Sequence, residues 1–237
     1  MIQTELPLAE LRTLIVGELQ RACQIVLLLH GYTMEPEDLA PFMQTLRVGH
    51  TAYVLPQAPL DTRQGGHTWW PIDEVARQQQ LARGPRDLAD TEPAGLGEAR
   101  QRVEAMLTEL HVRAPQARLV LGGFSQGGML ACDVALHTAT PLDALFLLSS
   151  SMLSRDSWTP LLPRLAKRPI LLTHGTADDN IALAAGERLR DALADAGTQV
   201  RWVTFDGGHQ IPLVVWRQLR RFLHERAAAH GQAAPHK

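Results

Sequence analysis

Six short runs constrain this chain more than any other feature: Gln24–Leu29, Thr51–Leu55, Arg118–Gly122, Ala144–Leu148, Pro169–Thr173 and Gln199–Phe205. Several of them are apolar almost throughout. A strand with one face in water alternates apolar and polar residues, so a run without alternation is covered on both faces, as in a parallel sheet. Helical stripes lie between the runs. Val103, Met106, Leu107 and Leu110 fall at i, i+3, i+4 and i+7. Leu189 and Leu193 form a one-turn pair ahead of Gly197, a residue suited to a left-handed cap, and Val215, Leu219, Phe222 and Leu223 repeat the stripe. Strands alternating with helices predict an α/β fold, a mostly parallel central sheet with helices on both faces.

At 237 residues and 45% apolar, the chain is long enough to bury roughly three quarters of its unfolded surface in one domain of this kind. No repeat and no linker divides it, so residues 1–237 are read as one domain. Two stretches fall outside the pattern. Residues 65–97 hold Gly65-Gly66, Trp69-Trp70-Pro71 and a polar run from Ala76 to Asp90, and are expected to form an irregular insertion or lid. Residues 225–237 lack periodicity and are expected to be a frayed tail.

Charge and cysteine usage narrow the partners. The net charge is −2 and no basic run is present, which argues against nucleic acid, whose phosphates demand clustered Lys and Arg. The longest apolar run, Ile25 to Leu29, is too short to span a bilayer. The first ten residues carry Glu5, Pro7 and Glu10 without a basic region leading into an apolar one, so no signal peptide is read and a cytoplasmic protein is expected. Cys23 and Cys132 are read as two reduced core thiols.

Chemistry concentrates where the run Arg118–Gly122 meets Gly123-Phe124-Ser125-Gln126-Gly127. Glycines on both sides of a serine let strand and helix approach closely and hold the hydroxyl exposed on a sharp turn. The free N–H groups at the start of the following helix suit a developing oxyanion. Such a serine needs a base oriented by an acid, in the chain order Ser, Asp or Glu, His. Asp178 and Asp179 follow the run Pro169–Thr173, and His209 follows Gln199–Phe205 through Asp206-Gly207-Gly208. Spacing leaves the choice between the two aspartates open, while Asp206 lies too near His209 to reach around its ring. His30 and His174 end buried strands and are read as hydrogen-bonded anchors. The backbone N–H groups of Tyr32 and Gln126 are the expected oxyanion donors.

These residues, taken in order, resemble the phospholipase/carboxylesterase group of α/β-hydrolases, which includes small bacterial carboxylesterases and acyl-protein thioesterases. The resemblance rests on Leu29-His30-Gly31, Pro56-Gln57-Ala58-Pro59, Trp69/Trp70-Pro71-Ile72-Asp73 and Gly122 to Gly128. It continues through His174-Gly175-Thr176-Ala177-Asp178 and Gly208-His209-Gln210-Ile211. It implies the α/β-hydrolase fold, with Ser125, Asp178 and His209 as catalytic residues and Tyr32 and Gln126 as oxyanion donors. It also implies a small-molecule ester or thioester substrate of short to medium acyl chain, and no metal or other cofactor. An acyltransferase using the same residues and a ligand receptor on a hydrolase scaffold are the competing readings, and a homodimer is compatible with the pattern. The chain departs from the group at Tyr32, usually Leu, and at Ile181-Ala182, usually Val-Pro. It departs again at Ser149–Ser151, which lacks a Ser-Gly pair, and in the longer segment between Asp73 and Gly97. All four departures are expected near the substrate, with Trp69, Trp70, Met152 and Ile181 as candidate acyl-wall residues.

Overall fold

The run Gln24–Leu29 divides its side chains between two cores: Ile25, Leu27 and Leu29 enter one, Val26 and Leu28 the other. This is the two-sided burial that its lack of alternation predicts. The computed structural model describes residues 3–231. Along the chain the strands are β1 (Gln3–Leu8), β2 (Leu11–Val16), β3 (Gln24–Leu29), β4 (Thr51–Pro56), β5 (Leu60–Asp61), β6 (His67–Thr68), β7 (Arg118–Phe124), β8 (Ala144–Leu148), β9 (Pro169–Gly175) and β10 (Gln199–Phe205). The helices are α1 (Pro36–Leu46), α2 (Glu74–Leu81), α3 (Leu96–Arg113), α4 (Gln126–His137), α5 (Arg155–Trp158), α6 (Leu183–Asp195) and α7 (Leu213–Gly231).

Eight strands form one sheet in the order β1-β2-β4-β3-β7-β8-β9-β10, while β5 and β6 make a separate two-stranded ribbon. From β4 to β10 every neighbour in the large sheet is parallel, and β1 and β2 add an antiparallel edge. The stripe Val103, Met106, Leu107 and Leu110 of α3 and the pair Leu189 and Leu193 of α6 bury in the first core, together with α4. The stripe of α7 and the residues Leu39, Met43 and Leu46 of α1 fill the second, on the opposite face. Parallel strands point their carboxyl ends the same way, so the loops after β3, β7, β9 and β10 gather at one edge of the sheet.

Four details correct the expectations. Residues 3–16, which lie outside the six expected strands, form a β-hairpin, turned by Ala9 (φ 46°) and Glu10 (φ 64°) in left-handed backbone, with Glu109 of α3 accepting the Ala9 N–H at 2.8 Å. Residues 225–231 are helical, because α7 continues to Gly231; residues 232–237 lie outside the described residues. The polar run in 65–97 is partly helix, since Asp73 caps α2 by accepting the Ala76 N–H at 3.0 Å and its residues are good helix formers. Cys132 is buried, but Cys23 is exposed, at the rim just ahead of β3, where its backbone bonds to His50 and Arg118. Among the described residues no helix is long and apolar enough to cross a membrane.

Candidate active site

Ser125 sits between β7 and α4 with φ 52° and ψ −116°, a left-handed conformation that a non-glycine residue adopts only when its surroundings enforce it. The enforcement comes from both sides. Its N–H donates to the Leu148 carbonyl at 2.8 Å, and its carbonyl accepts from Met129 N–H at 3.0 Å. A β-carbon at Gly123 would lie 2.4 Å from the Gly127 backbone, and one at Gly127 would lie 2.2 Å from the Leu29 carbonyl oxygen. The two glycines therefore do what the motif requires: they let the strand and the helix close around the serine.

The loops after β9 and β10 are bound to each other, which brings an acid and a base of distant sequence together. Thr176 and Ala177 donate their N–H groups to the carbonyls of Phe205 and Gly207, both at 2.9 Å. His209 then presents Nε2 at 2.8 Å from Ser125 Oγ and Nδ1 at 2.7 Å from Asp178 Oδ2. The Asp178 carboxylate is wholly buried, and its Oδ1 accepts the N–H groups of Asn180 and Ile181, each at 2.9 Å. Burial pushes this carboxyl up. The hydrogen bond and charge of His209 and the two amide donors outweigh burial and hold it below the usual carboxylate range. Asp179 is exposed and, among the described residues, accepts only from its neighbour Asn180; Asp206 is exposed as well. Of the three aspartates weighed, the geometry joins Asp178 to the histidine.

The backbone N–H groups of Tyr32 and Gln126 lie at the ends of the β3 and β7 loops, and neither is bonded by another group among the described residues. Their loops are held by anchors. His30 is buried, donates from Nδ1 to the Gly31 carbonyl at 2.7 Å and accepts the Ala58 N–H on Nε2 at 3.0 Å. Burial lowers its pKa to about 4, keeping it neutral. The Gln126 side chain accepts the Trp69 N–H at 3.1 Å and donates to the Thr68 hydroxyl at 2.9 Å, tying β6 to the serine turn. His174 donates from Nε2 to the Ile181 carbonyl at 3.0 Å, bracing the turn that carries Asp178.

Ser125, His209 and Gln126 open onto a cavity of about 440 Å³. Trp70 lines it and so does Tyr32, whose hydroxyl donates to Glu74 at the start of α2. Burial, with that hydrogen bond, raises the Tyr32 pKa to about 12. The other expected wall residues do not reach the cavity. Trp69 is buried in the core with its indole N–H donating to the His30 carbonyl at 2.9 Å, and Met152 and Ile181 are buried in the same core. Ser149–Ser151 are also buried away from it, under α4, where Ser150 Oγ fills the space a Gly128 side chain would need. The apolar wall is formed by Trp70, as expected, together with Phe124, Met129, Leu153, Leu88 and Ile72, which carried no expectation of lining a pocket. Arg77, Arg86 and Asn180 also line it, and no motif singled them out.

A model of the phospholipase/carboxylesterase family matches residues 12–226. The chain belongs to that family. Among family relatives, acyl-protein thioesterase 1 of Neurospora crassa is 33% identical over 122 residues, half of this chain and half of that protein. The chain thus spans about half the length of this relative. Acyl-protein thioesterase 1 homolog 1 of Dictyostelium discoideum is 26% identical over 182 residues, 70% of this chain and 73% of that protein. Among solved structures, esterase PE8 superposes with a TM-score of 0.74 at 28% identity, covering 89% of this chain and 96% of that one. The α/β-hydrolase fold, mostly parallel sheet and helices on both faces, is common to the chain and that esterase.

Proposed function

We propose that the protein is a serine hydrolase that cleaves carboxylic esters or thioesters through an acyl-enzyme. The observation that carries the reading is the unbroken line Asp178–His209–Ser125, at 2.7 and 2.8 Å, ending in the wall of one cavity. Ser125 Oγ attacks the substrate carbonyl while His209 Nε2 takes its proton. Asp178 accepts the hydrogen bond from Nδ1–H, fixes the tautomer and, staying ionised, stabilises the imidazolium that forms. The N–H groups of Tyr32 and Gln126 receive the oxyanion, an interaction worth on the order of 10²–10³ in rate per donor. His209 returns the proton to the leaving oxygen or sulfur. A water activated by the same histidine then attacks the acyl-enzyme and releases the acid, restoring Ser125.

A cavity of this size with an apolar wall suits an acyl chain of short to medium length. Helix α2 buries none of its residues and borders the cavity through Ala76, Arg77 and Gln80, which supports a role as a cover over bound substrate. The test is hydrolysis of p-nitrophenyl butyrate by wild type and Ser125→Ala. Wild type turns over and the variant falls to the background rate; equal rates overturn the assignment. Added alcohol or amine in the same assay separates hydrolysis from acyl transfer, because an acyltransferase captures the acyl group with the added nucleophile in preference to water.

A further inference from the structure

The cavity holds more fixed positive charge than acyl transfer to water uses. Its charged lining residues are Asp73, Arg77 and Arg86. Asp73 is exposed and occupied in capping α2. Arg77 donates to Asn180 Oδ1 at 2.9 Å and lies 3.7 Å from Glu74, whose carboxylate also receives the Tyr32 hydroxyl and Gln64 Nε2. Arg86 differs. It is half-buried, it makes no ion pair among the described residues, and its one side-chain bond is a long one, from Nε to the Asn180 carbonyl at 3.4 Å. Its two terminal nitrogens have no protein partner among the described residues.

Its backbone is nonetheless fixed. Arg86 N–H donates to the Asn180 carbonyl at 3.0 Å and its carbonyl accepts from Ala182 N–H at 2.9 Å, a bridge that locks residue 86 against the turn carrying Asp178. Burial, and then the neighbouring Arg77, disfavour its cation; the charges of Glu74 and Asp178 offset this only in part, and neither carboxylate pairs with the guanidinium, whose fork is left open to an anion. A guanidinium does not discharge at ordinary pH, and its planar fork matches a carboxylate or phosphate.

We propose that Arg86, with Arg77 beside it, binds an anionic group of the substrate, so that the enzyme prefers esters or thioesters bearing a carboxylate or phosphate. This inference rests on the reading of Ser125 and His209 as the hydrolytic centre. A neutral substrate leaves the Arg86 fork to water, whereas an anionic one receives a charge-assisted, two-point contact.

The experiment compares two pairs of thioesters, the members of each differing by one anionic group. In the first the anion is on the acyl part: glutaryl against pentanoyl N-acetylcysteamine. In the second it is on the leaving group: pentanoyl 4′-phosphopantetheine against pentanoyl pantetheine. In at least one pair, wild type is expected to favour the charged member by about tenfold or more in kcat/KM. Arg86→Gln is expected to erase most of that ratio, Arg86→Lys to restore part of it, and added salt to shrink it in wild type. A ratio near one in both pairs, or equal losses on charged and neutral members in Arg86→Gln, overturns the proposal. Turnover of the neutral thioesters by wild type shows that such a failure touches only the anion site. If wild type turns over none of the four, the hydrolytic reading fails instead. Titration of wild type with glutarate against glutaramide then reads the anion site alone, and equal affinity overturns it. That titration also stands in if Arg86→Gln does not fold.

Discussion

The Asp178 carboxylate lies 2.7 Å from His209 Nδ1, although 31 residues and two different loops separate them. The contact exists because the backbone of the β9 loop is hydrogen-bonded to that of the β10 loop, and it is shielded because Asp178 is buried. Asp179, one residue on, faces solvent. Adjacent aspartates therefore differ in kind. Asp178→Asn is expected to lower kcat by roughly 10⁴, since an amide cannot hold the imidazole in the tautomer that accepts from Ser125. Asp179→Asn is expected to change kcat by less than about threefold, because its carboxylate is solvated and bonds only a neighbouring amide. Steady-state kinetics on one p-nitrophenyl ester checks both, and a collapse confined to Asp179→Asn would reverse the assignment.

Gln126 serves the fold as well as the site. Its side-chain oxygen accepts the buried Trp69 N–H at 3.1 Å. Gln126→Ala keeps the backbone N–H that we propose receives the oxyanion but leaves the Trp69 N–H without a partner, at about 2 kcal/mol. Urea unfolding is expected to shift its midpoint accordingly, with kcat reduced through disorder in the β6 region rather than loss of an oxyanion donor.

His30 gives the stability a defined dependence on pH. In the folded protein its pKa falls from 6.5 to about 4, chiefly through burial. Between those values the unfolded chain binds a proton that the native state refuses. The stabilisation is therefore complete above about pH 6.5 and is lost as pH falls toward 4. From pH 6.5 to 5 the unfolding free energy is expected to drop by about 2 kcal/mol. Asp178, held low, acts in the same direction but only below the usual carboxylate range, so it does not enter that window. His30→Gln is expected to lower stability at neutral pH, and its unfolding free energy to be flatter across the same interval.

What the sequence made legible follows from which signals are local. Runs such as β3 and β7 announce burial on both faces residue by residue, and the stripes of α3 and α7 need no partner to be seen. The serine turn was readable because Gly123 and Gly127 are required by direct backbone contact. The N-terminal hairpin was not, because Ala9 and Glu10 occupy left-handed positions where Asn-Gly would be the usual sign, and β1 is mostly exposed. The cavity wall was misread for a different reason. Trp69 and Trp70 are identical neighbours in the bend just after β6; both are buried in the first core, but only Trp70 also borders the cavity, a difference set by tertiary packing that the sequence does not carry. Arg86 reads as a solvated charge in a polar run, and only its bridge to Ile181 brings it beside the site.

The central claim is that Ser125 carries the chemistry, and stoichiometric labelling with a fluorophosphonate probe tests it most directly. The expected result is one adduct per chain, located on Ser125 by peptide mass spectrometry, with esterase activity lost in proportion to labelling. Activity that survives complete labelling of Ser125, or an adduct on another residue that tracks the loss, would contradict it.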